Sequence, residues 1–146
     1  MVKMVDIGNK RDLKRTAIAS GEINLKRSTI HAIRSKKVVK GDVIGAAEVA
    51  ALQAIKKVWE VLPHCHQIPI TAAEVQSKWR RGSIEVTVTV QAVYRTGVEM
   101  EALYGVSVAL LTVWDMVKTL EKDENGQYPA TRIGNIRVKA KVKGDD

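Results

Sequence analysis

Between residues 83 and 93, apolar and polar side chains alternate strictly. Ile84, Val86, Val88, Val90 and Ala92 fall on one side, and Glu85, Thr87, Thr89 and Gln91 on the other. A period of two is that of a strand with one buried face. Residues 67–79 read as a second strand, with Arg80-Arg81-Gly82-Ser83 as the turn that makes the two a hairpin. From 98 to 120 the period lengthens. Leu103, Val106, Leu110, Val113, Val117 and Leu120 recur at steps of three and four, the stripe of an amphipathic helix. Another helix is predicted to open at Asp42, whose carboxylate can cap free backbone N–H groups, and to run to about Leu62, where Pro63 stops it. One side of it is small: Gly45, Ala46, Ala47, Ala50, Ala51 and Ala54, which suits close packing on a neighbour. Residues 14–25 are rich in β-branched side chains and predict a first strand, followed by a short helix over 28–34 with Ser28 as its N-cap. After a polar loop with turn chemistry at Asn125-Gly126, Ile136, Val138, Ala140 and Val142 alternate with Arg137, Lys139, Lys141 and Lys143. The order strand, helix, strand, strand, helix, strand predicts an α+β fold of the ferredoxin-like, split βαβ kind: an antiparallel sheet with helices on one face. A second subunit is the economical cover for the other face.

Length and composition narrow the class. The 146 residues predict one domain spanning 1–146. A hydrophobic fraction of 45% and a charged fraction of 27% exclude wholesale disorder. Phe is absent, so the core is expected to be aliphatic. The 24 basic against 16 acidic residues leave +8, a balance that favours phosphate or another polyanion as partner. Cys65 is the only cysteine, which excludes an intrachain disulfide and a CxxC zinc site. No run of about 18 apolar residues predicts a membrane span. The first residues lack the apolar core of a secretory leader, so a cytoplasmic setting is expected.

Three clusters carry candidate chemistry. Lys40 precedes Gly41-Asp42-Val43 at a helix start, where a cation beside free N–H groups can hold phosphate; a solvated lysine before a capped helix is the plainer reading. His64, Cys65 and His66 form the second. In an extended segment the two histidines point the same way. A catalytic zinc needs a third ligand; His31 could be it, but nothing in the sequence places it nearby, so acid/base or substrate-orienting roles are favoured over zinc. The third is the long helix, with Glu99, Met100 and Glu101 at its start and Asp115 and Lys118 near its end. Acids at the positive helix end and an i,i+3 ion pair explain these charges without function. Glu101 and Asp115 are 14 positions apart, about 21 Å along a helix. If both act on one small substrate, one must come from another subunit, or each must hold a different part of it.

The strings KGDVIGAAEVAALQAIKK, LPHCHQIPIT and RTGVEMEALYGVSVALLTVWDMVK, with the opening MVDIGNK, together resemble the cyclic pyranopterin monophosphate synthase family of molybdenum-cofactor biosynthesis. The resemblance runs from Met4 to about Lys143. It implies a lyase that converts a 3′,8-cyclo-7,8-dihydroguanosine triphosphate to cyclic pyranopterin monophosphate plus diphosphate, without redox. It implies a ferredoxin-like α+β fold, a homohexamer built as a trimer of dimers, and active sites at subunit interfaces. Position by position it implies catalytic roles for Lys40, Asp115 and Lys118. It also implies substrate contacts from His64, Cys65, His66, Glu99, Met100, Glu101, Arg15 and a C-terminal lysine best matched by Lys141. The sequence departs from the family where HCHQI replaces a common LCHPL, where DENGQYPA is inserted, and where the C-terminal KSGGKSG is reduced to KAKVKG.

On this reading the cations neutralise the triphosphate and the departing diphosphate. Asp115, Lys118 and Lys40 form a proton-transfer set, and His66 and Glu101 orient the ring. No resident cofactor or metal is expected; Mg²⁺ can accompany a triphosphate, but no dedicated carboxylate site for it is visible. A nucleic-acid-binding module is the rival class. The absence of Phe and of an aromatic stacking motif counts against it. A hydrolase using His64 and His66 as metal ligands is the second rival. Neither a nucleic acid nor a membrane is an expected partner.

Overall fold

The computed structural model describes residues 1–144; the last two positions of the expected 1–146 domain lie outside them. The elements are β1 (Leu13–Asn24), α1 (Arg27–Arg34), α2 (Val43–Ile55), α3 (Val58–Val61), β2 (Ile70–Trp79), β3 (Ser83–Tyr94), α4 (Glu99–Glu121) and β4 (Arg132–Lys143). The strands form one antiparallel sheet in the order β2-β3-β1-β4. The helices pack on one face of it. This is the predicted α+β split βαβ arrangement.

The alternation in β3 does what its period demands. Ile84, Val86, Val88, Val90 and Ala92 are all buried beneath the helices. Ala17, Ala19 and Ile23 of β1 lie beside them in the same core. The α4 stripe is buried at Val106, Leu110, Val113 and Val117, whereas Leu120 is exposed. By length and apolar content α4 could cross a membrane; here its buried side is the core of the sheet–helix sandwich. Small residues let the layers close. A Cβ on Gly105 would stand 2.9 Å from Ile55 of α2, and one on Gly21 would stand 2.8 Å from Val106 and 2.9 Å from Ile136. Ala47, Ala51 and Ala54, from the small face of α2, are buried in this packing.

Three local expectations are corrected. The helix predicted from Asp42 to Leu62 is two helices. Asp42 does cap it, accepting from the Gly45 N–H at 3.1 Å. At Lys56 and Lys57, however, the bonds tighten to Gln53 and Ala54, three residues back, and α3 starts afresh with Val58 buried. Ser28 is not an N-cap: α1 begins at Arg27, and its cap residue Lys26 has no capping side chain. The buried Glu121 carboxylate, from the far end of α4, fills that place. It accepts from the Lys26 N–H, from the Thr29 hydroxyl and, at 2.7 Å, from the Thr131 hydroxyl. In β4 the four apolar residues do not share a face. The register to β1 shifts between Ile18 and Ala19 and again between Ser20 and Glu22. Bulges of this kind reverse the side-chain alternation. Val142 and Ala140 pair with Thr16 and Ile18 on the open face, while Val138 pairs with Ala19 and Lys141 with Ala17 on the helix side.

Candidate active site

The site residues gather at the two ends of α4. At its N-terminal end lies a cleft of about 280 Å³ whose walls include His64, Cys65, His66, Glu99, Met100 and Glu101. The segment after α3 brings the first three; the first turn of α4 brings the others. The Glu99 carboxylate lies against Gly97, in space that a Cβ there would take. The bulge in β4 turns Lys141 to the helix side, where its Nζ lies 3.0 Å from Glu99 Oε1. Arg15 is buried on the same side. Its guanidinium donates to the carbonyl oxygens of Tyr94 (3.3 Å) and Arg95 (3.2 Å), and so pins the loop that leads into α4.

Glu101 is the cleft's unusual acid. Burial pushes its carboxyl up to about 7, with the neighbouring Glu99 charge adding to the effect. Near neutral pH it therefore holds and releases a proton with comparable ease. Burial, and then the Glu101 charge, also raise the Cys65 thiol, which keeps it protonated rather than nucleophilic. Both histidine rings are engaged by the N-terminal segment: His66 Nε2 lies 2.7 Å from the Val5 carbonyl oxygen, and His64 Nδ1 bonds the Lys3 carbonyl oxygen. A carbonyl only accepts, so each of these ring nitrogens carries a hydrogen. Such a bond leaves the second nitrogen of each ring available to substrate or to a metal. Among the described residues no group of three or more His, Cys, Asp or Glu side chains is placed to hold one. His31, the third histidine, lies on α1 and is not part of the cleft wall.

At the other end of α4, three predicted residues meet. Lys40 Nζ donates to the Asp115 main-chain carbonyl at 2.9 Å and to Asp115 Oδ2 at 3.3 Å, and Lys118 Nζ lies 3.0 Å from Asp115 Oδ1. Local structure makes this meeting. Gly41 adopts a left-handed φ of 110°, which only glycine takes without strain, and turns the chain between Lys40 and the cap at Asp42. Lys118 follows Asp115 by one helical turn. The two ammonium groups, Lys118 first, hold the Asp115 carboxyl below its ordinary range. All three side chains are solvent-exposed. Beside them is an apolar hollow lined by Leu111, Trp114 and Ile133. Tyr128 from the inserted loop packs edge-on against Trp114 at 5.1 Å between ring centres.

Within one chain, therefore, Lys40, Asp115 and Lys118 come together. His64, Cys65, His66, Glu99, Met100, Glu101 and Lys141 also come together, with Arg15 behind them. The two groups do not meet. Sequence reasoning passed over Val5, Ile7 and Lys10, which also line the cleft. Their signal was only the MVDIGNK opening.

Comparison with known proteins bears on this arrangement. The chain is 55% identical over 142 residues to the probable cyclic pyranopterin monophosphate synthase of Pyrococcus furiosus, covering 97% of this chain and 91% of the relative. It is 55% identical over 143 residues to the protein of the same description from Archaeoglobus fulgidus, covering 98% and 92%. It is 52% identical over 142 residues to a probable cyclic pyranopterin monophosphate synthase accessory protein of Methanothermobacter thermautotrophicus, covering 97% and 89%. The profile of the MoaC family matches residues 4–144, which include both groups of site residues. The chain belongs to the MoaC family.

Proposed function

We propose that this chain is a lyase of molybdenum-cofactor biosynthesis that converts (8S)-3′,8-cyclo-7,8-dihydroguanosine 5′-triphosphate to cyclic pyranopterin monophosphate and diphosphate. The names of its relatives support the reaction. The observation that carries it in this chain is the Lys40–Asp115–Lys118 set, two ammonium groups held on one ionised carboxylate. The reaction breaks the bond between the α-phosphorus and the diphosphate as a ribose oxygen attacks that phosphorus. Negative charge grows on the leaving oxygens, and two fixed cations answer it. Asp115 holds the lysines in position until the phosphates arrive. Ring opening and reclosure move protons, and Glu101, titrating near neutrality, suits that work. His66 and Met100 bound the cleft where the ring would lie, with Arg15, Lys141 and Glu99 at its side. The chemistry is redox-neutral and uses no resident cofactor; Mg²⁺ would enter as a counterion of the triphosphate.

One substrate would span both groups only if the cleft of one protomer faced the Asp115 end of another. About 21 Å of helix separates them in a single chain. The exposed apolar Val39 and Leu111, flanking the lysine–aspartate set, support burial there by a second copy. The assembly we propose is a homohexamer, a trimer of dimers, working in the cytoplasm.

Incubation of the purified protein with the cyclic dihydroguanosine triphosphate should release diphosphate and a cyclic pterin phosphate in equal amounts. Lys40→Ala and Lys118→Ala should each lower kcat by about 10²-fold or more, with the assembly intact by sedimentation. No product from the parent protein would reject the reaction, and near-normal turnover in either variant would reject the role of that lysine.

A further inference from the structure

The N-terminal segment, residues 1–12, belongs to no helix or strand, yet it is fastened to the cleft at successive points. His64 and His66 lie two apart, and they hold the carbonyls of Lys3 and Val5, also two apart. Side chains and carbonyls two apart in extended chains point the same way, so the two segments engage like adjacent strands with imidazoles as the rungs. Ile7 is then buried. Asp6 Oδ1 accepts from the Gly8 N–H at 2.7 Å, and the Lys10 N–H donates to the Ile7 carbonyl at 3.1 Å. These two bonds form a tight turn whose last residue, Lys10, stands at the cleft wall. Lys10 is the sole lysine or arginine among the residues lining the cleft. Among the described residues no carboxylate lies within ion-pair distance of it, whereas Lys141 is committed to Glu99.

We propose that Lys10 is a further ligand-binding residue of this cleft, contacting an anionic group of the bound nucleotide, and that His64 is a positioning residue that acts through the strap carrying it. This rests on the nucleotide reading of the cleft given above. An ammonium group held at a rim by a fixed turn loses little freedom on binding an oxyanion, and a charge-assisted bond of that kind is among the strong ones. His64 contributes at a distance: its bond to Lys3 sets the register of the strap, and the register sets where Lys10 stands.

The test is calorimetric binding of GTP, a triphosphate probe that is not turned over, to the intact protein and its variants. Lys10→Met should weaken binding about tenfold, and Lys10→Arg, which keeps the charge, should stay within about threefold of the parent. His64→Leu should weaken binding in the same direction. His64→Gln, whose amide can still donate to the Lys3 carbonyl, should recover most of the loss. If His64 acts through Lys10, the double variant Lys10→Met/His64→Leu should bind no worse than Lys10→Met alone. Unchanged binding by Lys10→Met would overturn the role of Lys10. Losses that add in full would overturn the positioning role of His64. Failure of the parent protein to bind GTP or to turn over the cyclic triphosphate would instead bring down the nucleotide reading, and this inference with it.

Discussion

Glu101 shows how far burial alone can set the chemistry of one residue. It stands in the first turn of α4, where the helix dipole favours a negative charge, yet its carboxyl is raised to about 7 because desolvation outweighs that help. The consequence for stability has a definite sign. Between an unfolded value near 4.5 and a folded value near 7, the unfolded chain has lost the proton and the folded chain keeps it. Rising pH through that window therefore weakens the fold, and above about 7 the penalty is complete. Glu101→Gln removes the titration. The variant should gain stability relative to the parent as pH rises from 5 to 8, by about 2 kcal/mol after allowance for screening at the open side of the cleft. Urea unfolding at the two pH values measures it; a constant difference would mean that Glu101 ionises normally in the fold. Asp115 is the opposite case. Exposed and flanked by two lysines, it is held below its ordinary range and is a weak base in the resting enzyme.

Among the elements, the sharpest constraint falls where layers touch through glycine. Gly21→Ala places a methyl against Val106, Ile136 and Leu110 at once, within 2.8–3.1 Å. Gly105→Ala meets chiefly Ile55 at 2.9 Å, and in return it gains helix propensity worth about 1 kcal/mol. Overpacking typically costs about 1–3 kcal/mol. Gly21→Ala should therefore cost about 2–3 kcal/mol in chemical denaturation and Gly105→Ala about 1 kcal/mol or less; the reverse order would show that α4 moves more easily off β1 than off α2. The same elements show what was legible in advance. A period of two in β3 and of three and four in α4 reported burial directly, because each reads the local geometry of its own segment. The break at Lys56–Lys57 and the faces of β4 were not legible. A bulge is set by the partner strand, and a lysine-rich alternation reads the same with or without one. Ser28 has the local chemistry of a cap, yet a carboxylate 93 positions away in the sequence, Glu121, takes the place. For the site, both charge clusters were readable from residue type and from the family resemblance. The strap over the cleft was not, since MVDIGNKR has neither period nor caps.

At the scale of the molecule, each chain holds two groups of candidate site residues, one towards each end of α4. If each complete site joins the His66 end of one protomer to the Lys40 end of another, two defective chains can restore one another. Co-expressed Lys40→Ala and His66→Ala chains, each inactive alone, should together recover about a quarter of parental activity. With random mixing, a quarter of the sites would draw both intact halves. No recovery in a demonstrably mixed assembly would mean that one chain supplies the whole site. The basic excess of +8 belongs to this scale too, since a positive surface draws a triphosphate in from solution and does so less well in high salt.

The separation of the two groups depends on one uninterrupted α4, 23 residues long. Each added or deleted residue would swing Asp115 and Lys118 about 100° around the axis relative to Glu101 and shift them about 1.5 Å. That stretch can exchange side chains on its outer face but cannot change in length. It is a ruler, and relatives that keep the chemistry should keep its count.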